Sequence, residues 1–265
     1  MRDFKAAKEL FKDVIDTNYY FDSTSAEIAR HKIEGAIKER NAPLIFLIGD
    51  PGVGKSYILK LISSDLEKES LSIFIDNPFF DKRDLLKLLF EAKGLEFNKN
   101  INFNGLKEML FDLYRETNNT IFVDEAQLLN EEQFELIRIL SDSRIFQFVL
   151  SMHKEEGSAI LEKKHFKSRT KVVVEYGGLH FSEVYRYIQN RMLQNNQGEI
   201  AQMISKNYTK KITKYTQGNF RMVKKFMYSL LSLLEYSKKE GIKRHNKINP
   251  CLLQMSALEI GAIRD

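Results

Sequence analysis

Five short stretches carry side chains whose types and spacing could do chemistry. GDPGVGKS at 49–56 fits G-x-x-x-x-G-K-[ST], between the apolar run LIFLI (44–48) and a helical-looking segment. Gly49, Gly52 and Gly54 let backbone N–H groups turn inward with no Cβ in the way, and a helix N-terminus adds partial positive charge. The expected phosphate-binding set is Gly49, Asp50, Pro51, Gly52, Val53, Gly54, Lys55, Ser56 and Tyr57. Lys55 is expected to reach the β and γ phosphates, and the Ser56 hydroxyl to ligate Mg²⁺, a hard cation that prefers oxygen. The bland alternative is a glycine-rich turn that binds nothing.

TIFVDEAQ at 120–127 ends an apolar run on two carboxylates. Asp124 is expected to contact Mg²⁺, and Glu125 to act as the general base that orients and deprotonates a water. A surface acid opening a helix is the alternative for Glu125. Arg169 in HFKSRT and Arg221 in QGNFRMVKK are candidates to stabilise charge on the leaving γ phosphate. Arg169 would act from a neighbouring subunit as a finger, and Arg221 would touch the nucleotide from a lid. A solvated surface arginine is the alternative for each. In IFQFVLSMHK, a polar side chain at the strand end would sit between Glu125 and the γ phosphate; His153 is preferred, with Ser151 the other candidate. The remaining histidines show no zinc-ligand spacing.

These residues need elements to hold them. LIFLI, LSIFI (71–75), TIFVD (120–124), IFQFVL (145–150) and KVVVE (171–175) read as five buried parallel strands, because their apolar runs show no polar alternation. Helix-length segments at 84–94, 104–117 and 130–142 lie between them, which makes an α/β sandwich. Beyond Gly178 the chain reads as helices at 181–195, 198–215, 219–239 and 249–262, with Gly218 and Gly241 as breaks. The expected organisation is a P-loop domain over 1–178, with 1–40 as a helical lead-in, followed by a small all-helical lid over 179–265.

The net charge of +5 is unevenly placed. Residues 206–247 hold twelve Lys/Arg against Glu235 and Glu240, a local +10 that leaves −5 for the rest. That polarity suggests an anionic partner, DNA or a membrane surface, although a solvated lysine face has the same composition. No run approaches the roughly 18 apolar residues of a membrane span, and the first residues lack the apolar core of a secretory signal. Cys251 stands alone, which agrees with a reducing compartment. The expected location is the cytoplasm, with peripheral attachment at the inner membrane as a variant.

The order of these motifs resembles the AAA+ superfamily, and more closely the ExeA-type ATPases of general secretion pathways with their relatives TniB and MuB in transposition. STSAEIARHKIEGAIKERNAPLIFLIGDPGVGKS, VDEAQ, FKSRT, YGGLHFSEVYRYIQNRM with Tyr187, Ile188 and Arg191, and TQGNFRMVKKF carry the resemblance. The chain departs from the pattern at Met152-His153 after strand four and at Lys224, where asparagine is usual. The resemblance implies a five-stranded αβα core with a helical lid, ATP or ADP with Mg²⁺, and a nucleotide-dependent homo-oligomer. It also implies an accessory role in a secretion, type IV pilus or DNA-uptake machine, the other reading being a DNA-binding transposition helper.

Overall fold

The structure, a computed structural model, describes residues 3–14, 19–67, 70–76, 81–163 and 170–263. In chain order it contains α1 (Phe4–Glu9), α2 (Thr24–Glu39), β1 (Leu44–Gly49), α3 (Lys55–Leu66), β2 (Leu71–Ile75), α4 (Lys82–Ala92), α5 (Phe103–Tyr114), β3 (Asn119–Val123), α6 (Glu131–Asp142), β4 (Phe146–Met152), α7 (Lys154–Glu162) and β5 (Lys171–Tyr176). After β5 come α8 (Phe181–Leu193), α9 (Gly198–Ala201), α10 (Lys206–Thr216), α11 (Phe220–Lys239) and α12 (Pro250–Glu259). Two compact units interleave along the chain: a sheet unit of 26–49 and 55–176, and a helical unit of 1–25, 50–54 and 177–265.

The sheet is wholly parallel, in the order β2-β3-β4-β1-β5. Its three central strands are buried at every residue, as their uninterrupted apolar runs require. Leu44, Phe46 and Ile48 join Ile121, Val123, Phe148 and Leu150 on one face, where Leu85, Leu89, Leu110, Ile137 and Leu140 of α4–α6 cover them. Each fully buried side chain of this kind contributes roughly 1.5–3 kcal/mol. The fifth strand differs from the expected buried run. It pairs only with β1, and its far edge leaves Val173 40% exposed and Glu175 in solvent.

Gln147, the one polar side chain inside IFQFVL, serves the core: its Nε2 donates to Ala36 O at 3.0 Å and Ala42 O at 2.7 Å, pinning the approach to β1. The register pairs Val123 with Leu150 and Leu47 with Ser151. Ser151 therefore lies beside the residue that follows β3, which is Asp124.

The helical unit is built around Tyr187, 2% exposed. Its ring meets Phe11, Tyr19, Phe21 and Phe220 at centroid distances of 6.1, 6.1, 5.4 and 4.7 Å. Arg191, one turn on, places its guanidinium 4.4 Å from the Tyr19 ring centroid, and its Nε donates to Leu10 O at 3.3 Å. The Tyr187/Arg191 pair thus clamps the N-terminal segment onto α8, and Lys8 pairs with Glu235 of α11 at 2.6 Å.

The expected single helix over 198–215 is broken. Ser205 caps α10 by accepting from Tyr208 N at 3.3 Å, so the chain turns between α9 and α10. Gly218 and Gly241 end their helices at φ +70° and +65°. A Cβ on Gly218 would lie 2.2 Å from Leu179 O, so only glycine fits there. The short helices α1 and α7 were not anticipated as separate elements.

Replacing Tyr187 with alanine removes an enclosed aromatic ring. It is expected to cost about 3–5 kcal/mol, read as a lower urea midpoint together with faster proteolysis of the N-terminal segment. An unchanged midpoint would contradict the clamp.

Candidate nucleotide site

Gly49 closes β1 where a Cβ would lie 2.3 Å from Tyr176 O of the adjacent strand, so the backbone pairing itself excludes any side chain. The loop then turns through Gly52 at φ +80° and Gly54 at φ +112°. By their contacts Asp50–Gly54 belong to the helical unit: Arg221 N donates to Gly52 O at 3.0 Å and Asn219 Nδ2 to Pro51 O at 2.7 Å. A Cβ on Gly52 would stand 2.8 Å from Arg221 Cβ. Lys55 opens α3, is 5% exposed, and donates from Nζ to Gly49 O at 2.8 Å. Ser56 and Tyr57 follow in the first helical turn, both half-buried.

At the end of β3, Asp124 is 5% exposed. Its Oδ1 accepts from Ser151 Oγ at 2.6 Å and from Glu125 N at 3.0 Å, and its own N–H donates to Ile75 O at 3.0 Å. Among the described residues Oδ2 takes no hydrogen bond. A carboxylate with one oxygen anchored and the other left over has the form of a cation ligand.

Glu125 has φ +51°, a left-handed conformation that non-glycine residues rarely adopt. The reversal starts a 3₁₀ turn over Ala126–Leu128 that folds Gln127 back toward Glu125. Gln127 Nε2 donates to Glu125 Oε2 at 2.5 Å, and His153 Nε2 lies 3.2 Å from the same oxygen. Gln127 Oε1 in turn accepts from His153 N at 3.3 Å.

Of the residues singled out from sequence, the sheet unit links Ser151 to Asp124, Asp124 to Glu125 and Glu125 to His153, and it also carries Lys55 and Ser56. The two strand-end candidates do different things: Ser151 holds Asp124, and His153 faces Glu125. Arg221 touches the loop through its backbone, while its guanidinium, 55% exposed, pairs with Asp13 at 3.5 Å. Lys224, at the position that departs from the family pattern, donates to Val14 O at 2.7 Å. Arg169 lies outside the described residues. Two residues escaped the sequence reading. Asn219 carried no signal beyond being a cap-type residue ahead of a helix, and Gln127 none beyond being the last letter of DEAQ.

Residues 38–159 match a family model described as AAA domain. The fold is that of the P-loop AAA+ nucleotide-binding proteins, a five-stranded parallel sheet flanked by helices with further helices at the C-terminal end. General secretion pathway protein A of Aeromonas hydrophila is 30% identical over 120 residues, which cover 40% of this chain and 21% of that protein. Among solved structures, Cdc6p from Pyrobaculum aerophilum superposes with a TM-score of 0.65 at 14% identity, over 96% of this chain and 71% of that one. The RuvB Holliday junction branch migration motor of Thermotoga maritima gives 0.55 at 16% identity, over 88% and 67%. Domain III of the replication initiation protein DnaA from Thermotoga maritima gives 0.50 at 14% identity, over 98% of each chain. At such identities these structures establish the fold alone.

Ser151→Ala leaves a buried carboxylate short of a donor. It is expected to lower stability by about 1.5–3 kcal/mol in denaturant titration, with a smaller midpoint shift in a variant that already carries Asp124→Ala, where no acceptor is left.

Proposed function

We propose that this chain binds ATP and hydrolyses it with Mg²⁺. The observation that carries the reading is the placement of Glu125, in a strained backbone conformation, directly after the buried and anchored Asp124. The residues fit the groups they would hold: the loop turns through Gly52 and Gly54 at positive φ, and among the described residues Asp124 keeps one oxygen without a protein donor. Ser56 Oγ and Asp124 would hold Mg²⁺, which when bound neutralises charge on the phosphate oxygens. The Lys55 ammonium would balance the β and γ phosphates, and the Glu125 carboxylate would orient a water and accept its proton. Arg221, beside the loop at the start of α11, would couple the helical unit to the state of the γ phosphate. In a homo-oligomer Arg169 would serve a neighbour's nucleotide.

We also propose an accessory role in a secretion, pilus or DNA-uptake machine at the cytoplasmic face of a membrane, a reading prompted by the similarity to general secretion pathway protein A. Among the described residues no helix is long and apolar enough to cross a bilayer. Glu125→Gln is expected to reduce kcat at least about 100-fold while ATP affinity stays within about threefold. Phosphate release at the wild-type rate would sink the reading.

A second reading, of a nucleic-acid-binding ATPase, is favoured by the surface of α10. Lys206, Lys210 and Lys214 recur at i, i+4, i+8, all exposed, with no ion pair among the described residues. Two of the ammoniums lie over aromatic rings: Lys206 is 5.8 Å from the Tyr185 centroid and Lys210 is 5.3 Å from that of Phe181. The tyrosines interleaved with them are committed to packing. Tyr208 OH donates to Ile248 O at 2.9 Å, and Tyr215 stacks on Phe226. What remains is a row of charge suited to a phosphodiester backbone and not to base stacking. The apolar side of α10, at Ile212, is buried in the protein and offers a membrane nothing to insert.

Binding of a random-sequence duplex should weaken with salt. Changing all three lysines to glutamine should make the log–log slope shallower by about 0.9 per lost phosphate contact, roughly 2.7 in total. An unchanged slope, or binding only to anionic vesicles, would remove this reading.

A further inference from the structure

Gln127 contacts the proposed base, yet neither the phosphate loop nor the cation site uses it. We infer that Gln127 is a positioning residue that decides which oxygen of Glu125 is presented to the attacking water. The inference rests on the hydrolysis reading above.

Two nitrogens converge on a single oxygen of Glu125. Gln127 Nε2 reaches Oε2 at 2.5 Å and His153 Nε2 reaches it at 3.2 Å, while Oε1 takes no hydrogen bond among the described residues. A carboxylate held this way cannot rotate without losing both donors. Its undonated oxygen keeps its lone pairs for a proton arriving from water.

The orientation of the Gln127 amide is itself determined. Its Oε1 accepts from the backbone N–H of His153 at 3.3 Å, a group that can only donate, and its Nε2 faces a carboxylate, which can only accept. Flipping the amide would set oxygen against oxygen at one end and N–H against N–H at the other. The second hydrogen of Nε2 points toward His153 Nδ1 at 3.5 Å, which suits the tautomer with hydrogen on Nε2, the one that donates to Glu125. The three side chains therefore close a ring. Gln127 is its hinge, because its two amide ends bond the Glu125 carboxylate and the backbone N–H of His153.

The local backbone explains how a residue two positions on can reach back. Side chains at i and i+2 do not meet in a regular helix. Here the left-handed Glu125 and the 3₁₀ turn after it reverse the chain, and Leu128 N donates to Glu125 O at 3.0 Å to close the turn. On this view the left-handed strain has a purpose: it brings the amide back onto the carboxylate.

The test is Gln127→Met, which keeps length and bulk but removes both polar groups, together with Gln127→Glu, which keeps the shape and sets an acceptor against Glu125. Both should lower kcat about tenfold or more, the glutamate further, while KM and ADP affinity stay within about twofold. In a Glu125→Gln background Gln127→Met should cost nothing more, because the group it positions is already gone; a purely structural role would add its own loss there. Independently of turnover, ¹⁵N shifts of the His153 ring should report hydrogen on Nε2 in the wild type and a mixture of tautomers in Gln127→Met.

Wild-type turnover with an unchanged kcat in both variants would overturn the inference and leave the hydrolysis reading standing. Absence of phosphate release from the wild type would overturn both.

Discussion

A carboxylate at the end of a fully buried strand has to be satisfied or discharged, and the way Asp124 is satisfied organises the site. β1, β3 and β4 are buried along their whole length, so their C-terminal ends emerge from a dry interior. Burying a charge there without partners would cost several kcal/mol. Ser151, delivered by the β3–β4 register, and the N–H of Glu125 hold one oxygen, and the other takes no hydrogen bond among the described residues. The same register places His153 two residues on, against Glu125. One pairing thus locates the proposed cation ligand, the proposed base and the side chain facing that base.

The loop before α3 obeys a different constraint. Its ends, Gly49 and Lys55, belong to the sheet unit, while the five residues between them are bonded to the start of α11 by Arg221 N and Asn219 Nδ2. Displacement of that helix end would pull directly on Pro51 and Gly52. Gly52 has no room for a side chain because Arg221 is so close, which gives this glycine a packing role besides its positive φ.

Chemistry and packing are sorted in the helical unit as well. Tyr187 and Arg191, read first as part of a family signature, hold the N-terminal segment to α8 through ring contacts and a carbonyl. The aromatic residues among the lysines of α10 are likewise structural, which leaves the lysines themselves as the solvent-facing chemistry.

Much was legible in the residues alone. Five apolar runs marked five strands within two residues at each end, because desolvation on both faces demands continuous apolar sequence; G-x-x-x-x-G-K-S and the adjacent carboxylates marked the loop and the acids, because that chemistry tolerates few other residue types. What stayed hidden depended on long-range pairing or on a local backbone reversal. The exposure of β5 follows from sheet order, the break before α10 from a single serine cap, and the division of labour between Ser151 and His153 from which strand lies beside which. The roles of Gln127 and Asn219 required three-dimensional proximity: one through a left-handed turn, the other across 168 residues of chain. Residue type and spacing determined what chemistry was possible, since they set which atoms can donate, accept or carry charge. Tertiary structure decided which of those atoms meet, since strand order and backbone handedness bring together groups whose separation along the chain carries no such information.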